Sequence, residues 1–283
     1  MTEQKSNHLG KSIQQLRAKR PLIHCITNPI SINDCANILL AAGARPIMAE
    51  HPLEAEVITA GADALAVNLG NITDVRMESM LLAGRKAKAL SHPRVMDVVG
   101  VACSSLRLTY ANRWIRECTP EVIKGNITEI RALLDLRCQA PGIDANTADQ
   151  LMPENMEENI QAIQTLARRT GAVILASGKT DLIVGPKDVW LVENGCPSMA
   201  RLTGTGCMLN VLTAAYLTVC QPLEAALLSA SLLGICGEKA NSESGIGSFH
   251  VHLLDQMDQI TEEIWRENAR LDNKTEEIYN ESF

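Results

Sequence analysis

Short aliphatic runs alternate along the chain with stretches whose apolar residues recur at helical spacing, a pattern that builds βαβ units around a largely parallel sheet. Residues 21–26 read as a first strand ending in Thr27-Asn28-Pro29, and 33–42 as a helix stopped by Gly43. Strands over 44–48 and 64–69 follow, with a helix over 52–60 between them and another over 75–90 after them, in which Met77 and Met80 read as core. The alternation continues through a strand at 94–99, a helix at 108–117, a strand at 121–124 and a helix from 128 to about 134. Residues 137–155 lose periodicity and gather Pro141, Gly142 and Pro153, which predicts a long surface loop. A helix over 155–170 and a strand over 172–176 resume the pattern.

Residues 183–184 and 189–192, separated by Gly185-Pro186-Lys187-Asp188, predict a hairpin and so antiparallel strands at one sheet edge. Segments 208–220 and 223–240 are apolar nearly all round and read as buried helices. The ends read differently: 1–20 is a polar segment, and 253–280 has helical spacing that runs into a frayed tail from about 268. The expected architecture is one domain over 1–283, a three-layer α/β/α sandwich with a mostly parallel central sheet.

Composition narrows the function. Of the 283 residues 46% are apolar and only 3% aromatic, so the core is aliphatic and the chain is not disordered. No apolar run reaches the roughly 18 residues of a membrane span, and 1–20 lacks the apolar stretch of a signal peptide. The net charge of −7, with scattered basic residues, argues against a nucleic-acid footprint. Nine cysteines without a Cys-x-x-Cys pair argue against structural zinc and for a reducing, cytoplasmic setting. Eight of them read as small buried hydrophobes.

The ninth is Cys207. It ends Leu202-Thr203-Gly204-Thr205-Gly206-Cys207, directly before the apolar segment at 208. Glycines there can turn backbone N–H groups toward one point, and a helix N-terminus adds partial positive charge, an anion hole in outline. A tight connection explains the same spacing. The loop lacks the Lys-Ser/Thr of a Walker loop and the third glycine of a dinucleotide fingerprint. At that helix start the macrodipole is expected to favour the Cys207 thiolate, which could take a proton from a substrate hydroxyl.

A second cluster is Lys124-Gly125-Asn126-Ile127-Thr128-Glu129. Asn126 and Glu129 suit a capping box. They equally suit a site in which Glu129 and Asp97, both at strand ends, hold Mg²⁺ and its waters against phosphate. A third cluster, Ala176-Ser177-Gly178-Lys179-Thr180-Asp181, leaves a strand through small hydroxyl residues and could line a nucleotide. His24 reads as a satisfied core histidine, and Trp114 and Trp190 as packing or adenine contacts. His250 and His252 would share one face of a strand, but no third metal ligand is evident.

His24-Cys25-Ile26-Thr27-Asn28, Pro46-Ile47-Met48-Ala49, Asn68-Leu69-Gly70, Met96-Asp97-Val98-Val99-Gly100, Lys124-Gly125-Asn126 with Glu129, and Thr203-Gly204-Thr205-Gly206-Cys207 together resemble the hydroxyethylthiazole kinase family, of ribokinase-like fold. The resemblance spans about residues 21–254. It implies ATP-dependent phosphorylation of 4-methyl-5-(2-hydroxyethyl)thiazole in thiamine salvage. It also implies Cys207 as the catalytic position, Met48, Gly204 and Asn28 at the substrate, and Lys124, Ser177, Asn126, Thr205 and Gly206 at ATP. Asp97 and Glu129 would hold Mg²⁺ through water, and the assembly would be a homotrimer. Three departures stand out: Val98 where the family usually has proline, Lys124 where arginine is frequent, and Gly245-Ile246-Gly247 for Gly-Pro-Gly. Two other readings of the same residues are a kinase of another small alcohol such as hydroxymethylpyrimidine, and a nucleotide-binding regulator that has lost turnover.

Overall fold

Runs of four or five aliphatic residues covered on both faces form strands, because alternate side chains must find apolar partners above and below the sheet. The computed structural model describes residues 3–134, 155–241 and 245–275, with side chains from Leu9 onward. Its nine strands are β1 (Leu22–Ile26), β2 (Arg45–Ile47), β3 (Ala64–Asn68), β4 (Arg94–Asp97), β5 (Val122–Asn126), β6 (Val173–Ser177), β7 (Asp181–Val184), β8 (Val189–Val192) and β9 (Leu271–Asn273). They form one sheet in the order β2-β1-β3-β4-β5-β6-β7-β8-β9. Every pairing from β2 to β6 is parallel, and β6 to β9 are antiparallel.

Strand alternation sorts the core into two layers. Cys25, Ala66, Val95, Val122 and Leu175 face one layer, while Ile26, Val67, Met96, Ile123 and Ile174 face the other. The first is covered by α1 (Glu3–Lys19), α2 (Ile32–Ala42), α8 (Thr205–Tyr216), α9 (Pro222–Ala240), α10 (Ile246–Gln259) and α11 (Glu262–Asn268). The second is covered by α3 (Pro52–Gly61), α4 (Asp74–Ala89), α5 (Ser105–Cys118), α6 (Ile127–Ala132) and α7 (Met156–Thr170). The expected three-layer α/β/α sandwich with its antiparallel edge is therefore what the chain forms.

Several local expectations are corrected. The polar stretch at 1–20 contains helix α1, and Leu9, Ile13 and Leu16 on one of its faces are buried in the first core layer. The expected tail from 268 instead supplies β9, whose Leu271 pairs with Val192 and satisfies the outer edge of the hairpin. The predicted loop at 137–155 lies, apart from Asn155, outside the described residues. His250 and His252 sit on α10, so two residues apart they diverge around the helix. Trp114 and Trp190 are both buried, Trp114 donating to Met80 O at 2.8 Å, so neither indole is open to an adenine.

Of the cysteines, Cys25, Cys35, Cys118 and Cys236 are buried as expected, Cys196 and Cys220 are half-buried, and Cys103 is exposed. His24 is a satisfied core histidine, with Thr59 Oγ1 and Ala49 O each at 2.8 Å from its ring nitrogens. Burial lowers its pKa, the neutral state that this pair of partners suits.

Helix α4 packs against α5 at Gly84, where a Cβ would lie 2.6 Å from Cys118 Sγ and 2.8 Å from the Trp114 ring. Gly84→Ala sets a helix-propensity gain of about 1 kcal/mol against overpacking of about 1–3 kcal/mol. The expected result is a net loss, read as a lower urea midpoint with an unchanged slope; a gain would show that Trp114 can yield.

Candidate active site

Parallel register brings polar residues to one end of the sheet. Asn68 pairs with Asp97, Asp97 with Lys124, and Asn126 with Ser177, so the chemistry-bearing residues of four strands end in one row. Ligands collect at such carboxyl ends in open parallel sheets.

The centre of the row is a buried ion pair. Lys124 Nζ donates to Asp97 Oδ2 at 3.0 Å, and both side chains are almost wholly excluded from solvent. Burial pushes the Asp97 carboxyl up, opposed by the Lys124 charge and by hydrogen bonds from Lys124 and Asn68. Burial alone would lower Lys124, but the anions of Asp97 and Glu129 and the Cys207 sulfur together raise it, so it stays charged.

Helix α8 brings the glycine loop to this pair. Its first turn begins at Thr205, earlier than the sequence pattern indicates, with Gly204 as N-cap at φ +94°, a left-handed backbone natural to glycine. Gly206 leaves room for the ammonium: a Cβ there would lie 2.8 Å from Lys124 Nζ. The first intrahelical bond runs from Met208 N–H to Gly204 O, so the N–H groups of Thr205, Gly206 and Cys207 have no carbonyl of this helix to meet. Thr205 Oγ1 donates to Met199 O at 3.3 Å, tying the loop to the 3-10 turn Pro197–Arg201.

Cys207 Sγ accepts from Asn28 Nδ2 at 3.2 Å and from Asn68 Nδ2 at 3.4 Å. Its thiol is shifted upward, contrary to the expectation from the helix dipole. Burial and then the Asp97 charge raise it, outweighing Lys124 and the hydrogen bonds of Ser31 and Asn28.

Around this centre, Asn126 caps α6 and Glu129 closes the capping box, so that half of the sequence reading holds. Glu129 also reaches back: its Oε1 accepts from Gly100 N–H at 2.7 Å and its Oε2 from Asn126 N–H at 2.8 Å. Burial, then the Asp97 charge, push it up to about 7. Ser177 Oγ donates to Gly125 O at 3.3 Å. Gly204 lies on the far side of the loop, where a Cβ would be 3.1 Å from Ser31 Cβ and 3.6 Å from Asp34 Oδ2. Asp34 in turn lies 2.9 Å from His250 Nε2. Met48, just past β2, is half-buried against the first core layer, as is Cys207.

The donor set fits a hydrated Mg²⁺. Asp97 Oδ1 is buried with no partner among the described residues, although Oδ2 is fully engaged. Glu129 is already bound to two N–H groups, so water between carboxylate and ion suits it better than direct ligation. No cluster of three or more His, Cys, Asp or Glu suited to a metal occurs among the described residues.

A family model for the hydroxyethylthiazole kinase family matches residues 13–263. The chain belongs to the hydroxyethylthiazole kinase family. Among relatives, it is 48% identical to hydroxyethylthiazole kinase 2 of Clostridium botulinum strain Hall, over 92% of this chain and 98% of that one. Its fold is similar to the solved hydroxyethylthiazole kinase protein of Pyrococcus horikoshii, with TM-score 0.84, 32% identity and coverage of 94% and 98%. The Staphylococcus aureus pyridoxal kinase in complex with AMP-PCP, at 16% identity, TM-score 0.62 and coverage of 89% and 97%, shares the fold alone. The architecture is thus ribokinase-like, and the family makes this chain a kinase.

Two departures from the family pattern gain a physical account. Val98 N–H donates to Lys124 O at 2.8 Å, a ladder bond that proline could not make. Ile246 is the first residue of α10, a position where proline is equally at home. The sequence assigns no role to Asn68 or Ser31, and includes Asp181 only within the cluster at 176–181. For Asn68 the available signal was its polar position at the end of an otherwise apolar strand.

Asp181 opens β7 just after the turn at 178–180. Its Oδ1 accepts from Gly178 N–H at 2.9 Å, and burial pushes its carboxyl up to about 7. Between the ordinary aspartate value near 4 and about 7 the folded chain holds a proton that the unfolded chain has lost. Its contribution therefore falls as pH rises through that window. Asp181→Asn keeps the acceptor and removes the charge. It should raise the melting temperature at pH 8 relative to wild type more than at pH 4; an equal shift at both would remove Asp181 from the account.

Proposed function

We propose that the protein transfers the γ-phosphoryl group of ATP to the primary alcohol of 4-methyl-5-(2-hydroxyethyl)thiazole, as in thiamine salvage. The observation that carries this reading is the convergence of the Cys207 thiol, the Lys124 ammonium and the α8 N-terminus, in a chain whose relatives bear that kinase's name. A bond forms between the alcohol oxygen and the γ-phosphorus. The bond from the γ-phosphorus to the bridging oxygen breaks, its electron pair leaving on that oxygen with ADP, and the hydroxyl proton passes to the Cys207 sulfur in its thiolate form.

In this reading Lys124 and the N–H groups of Thr205, Gly206 and Cys207 face the phosphate oxygens, and Asn126 and Ser177 border the nucleotide. Met48, Gly204 and Asn28 border the thiazole alcohol. Asp97 and Glu129 would hold Mg²⁺ through water, and that ion would supply positive charge against the phosphates. The raised thiol leaves little thiolate at neutral pH, so positioning and the oriented N–H groups carry most of the rate enhancement.

The protein is further read as a cytoplasmic homotrimer. Eight free thiols among the described residues suit a reducing compartment, and no described helix is long and apolar enough to cross a membrane. Leu53 and Val57, one turn apart on α3, and Ile30, two residues past Asn28, are exposed apolar side chains of the kind a subunit interface covers. Light scattering should return three times the chain mass; a monomeric mass sinks the trimer.

Cys207→Ala should lower kcat by roughly 10²-fold, the lower end for a lost proton acceptor, with KM for the alcohol little changed. Cys207→Asp, a carboxylate facing the same amide donors, should retain turnover. Because burial raises the thiol, wild-type kcat should keep climbing above neutral pH, and that alkaline limb should vanish in Cys207→Asp. Coupled ADP-release assays across pH check both, and a fully active Cys207→Ala would remove the sulfur from the mechanism.

A further inference from the structure

Two asparagine side chains, Asn28 and Asn68, are buried at the ends of β1 and β3, where an unsatisfied amide would be costly. Their orientation is fixed by backbone donors. Asn28 Oδ1 accepts from Ile30 N–H and Ser31 N–H, each at 3.1 Å. Asn68 Oδ1 accepts from Gly70 N–H at 2.7 Å. The amide nitrogens must then point the other way. Asn28 Nδ2 meets Asn68 Oδ1 at 3.2 Å and Cys207 Sγ at 3.2 Å. Asn68 Nδ2 meets Asp97 Oδ2 at 2.9 Å and Cys207 Sγ at 3.4 Å. All four amide hydrogens are accounted for, and two of them are directed at one sulfur.

A neutral thiol is a weak acceptor, so spending two amide donors on it contributes little to folding. The same two donors are worth about twice as much when the acceptor carries charge. The arrangement is thus built around the sulfur in the form that can take a proton. It also places an NH₂ group between Cys207 and Asp97, which keeps thiol and carboxylate from sharing a proton directly. Asn28, with both amide hydrogens committed, has none left for a substrate hydrogen bond.

We propose that Asn68 is a positioning residue of the transfer reaction. It holds the Cys207 sulfur as a hydrogen-bond acceptor facing the alcohol and separates it from Asp97, with Asn28 as the second grip on the sulfur. This rests on the alcohol-kinase reading with Cys207 at the reacting hydroxyl. Asn68 acts through Cys207, which distinguishes it from a residue that merely supports the strand end.

The test is a double-mutant cycle in the full-length protein with Asn68→Ala, Cys207→Ala and both together. It is read by kcat and KM for the thiazole alcohol, by thermal unfolding, and by the site-resolved rate at which iodoacetamide alkylates Cys207. Asn68→Ala should lower kcat about tenfold or more while KM moves by less than about threefold, and it should slow Cys207 alkylation several-fold. In the Cys207→Ala background the same substitution should cost less than about twofold more. An equal kcat loss in both backgrounds, or alkylation of Cys207 as fast as in wild type, overturns the proposal. Asn68→Ser stays polar but is too short to reach the sulfur. It is carried through the same cycle with the same expected pattern, so that poor folding of the alanine variant leaves the question decidable. A wild-type enzyme idle on the thiazole alcohol would sink the substrate reading alone, since the alkylation comparison still decides what Asn68 does.

Discussion

A charge taken out of water must be paired, and the site is organised around one such pair: the Lys124 ammonium against Asp97, 3.0 Å apart and both buried. Breaking a buried pair by losing one partner costs about 3–5 kcal/mol, whereas an apolar replacement of both is often neutral. Stability is therefore a weak reason for the pair to exist. Its position supplies a better one. It fixes a positive centre beneath the glycine loop, in a chain whose net charge is −7, and Gly206 keeps side-chain bulk away from that centre. In the proposed reaction, phosphate binding would rest on the local fields of ammonium and backbone N–H, set against a negative net charge.

The thiol shows which of two opposing effects wins. A helix N-terminus favours a nearby anion by about 0.3–1 kcal/mol, and about 2 kcal/mol in partly buried geometry. Burial can move a titrating group by several pKa units, each worth about 1.4 kcal/mol. At Cys207 burial is the larger, and the Asp97 charge adds to it. Against both the fold sets the Lys124 charge and the hydrogen bonds of Ser31 and Asn28, while Asn28 and Asn68 hold the sulfur in place more firmly than it is ionised.

Much of this was legible in the chain. Short aliphatic runs alternating with helical spacing announced the sandwich, the hairpin announced the antiparallel edge, and Asn126 with Glu129 announced the cap of α6. The misses share a cause, since each depends on contacts distant in sequence. Helix α1 looks polar because, among its described side chains, the apolar ones buried in the core are Leu9, Ile13 and Leu16, a stripe too narrow to dominate its composition. Strand β9 is three residues long, and only the open edge of β8 makes Leu271–Asn273 extended. Asn68 was visible as a polar strand end, but its partners come from the turn after β1, from β4 and from α8, and no local pattern links Asn28, Asp97 and Cys207.

The two departures nearest the chemistry make better sense together than apart. Lysine in place of arginine keeps the charge but gives up the rigid fork that fixes a guanidinium against phosphate. A point charge on a flexible stem needs its geometry from elsewhere. Asp97 supplies part of it by holding Nζ. Valine in place of proline supplies another part, because Val98 N–H can then bond to Lys124 O and extend the β4–β5 ladder by one rung past Asp97. The Val98 side chain adds to this, packing so close over Gly125 that a Cβ there would lie 2.8 Å from its Cγ2. The backbone that carries the lysine is therefore held by Val98 through a main-chain bond and through side-chain packing. What the side chain loses in rigidity, the strand end on which it is mounted regains, and the cation still arrives at the N-terminus of α8.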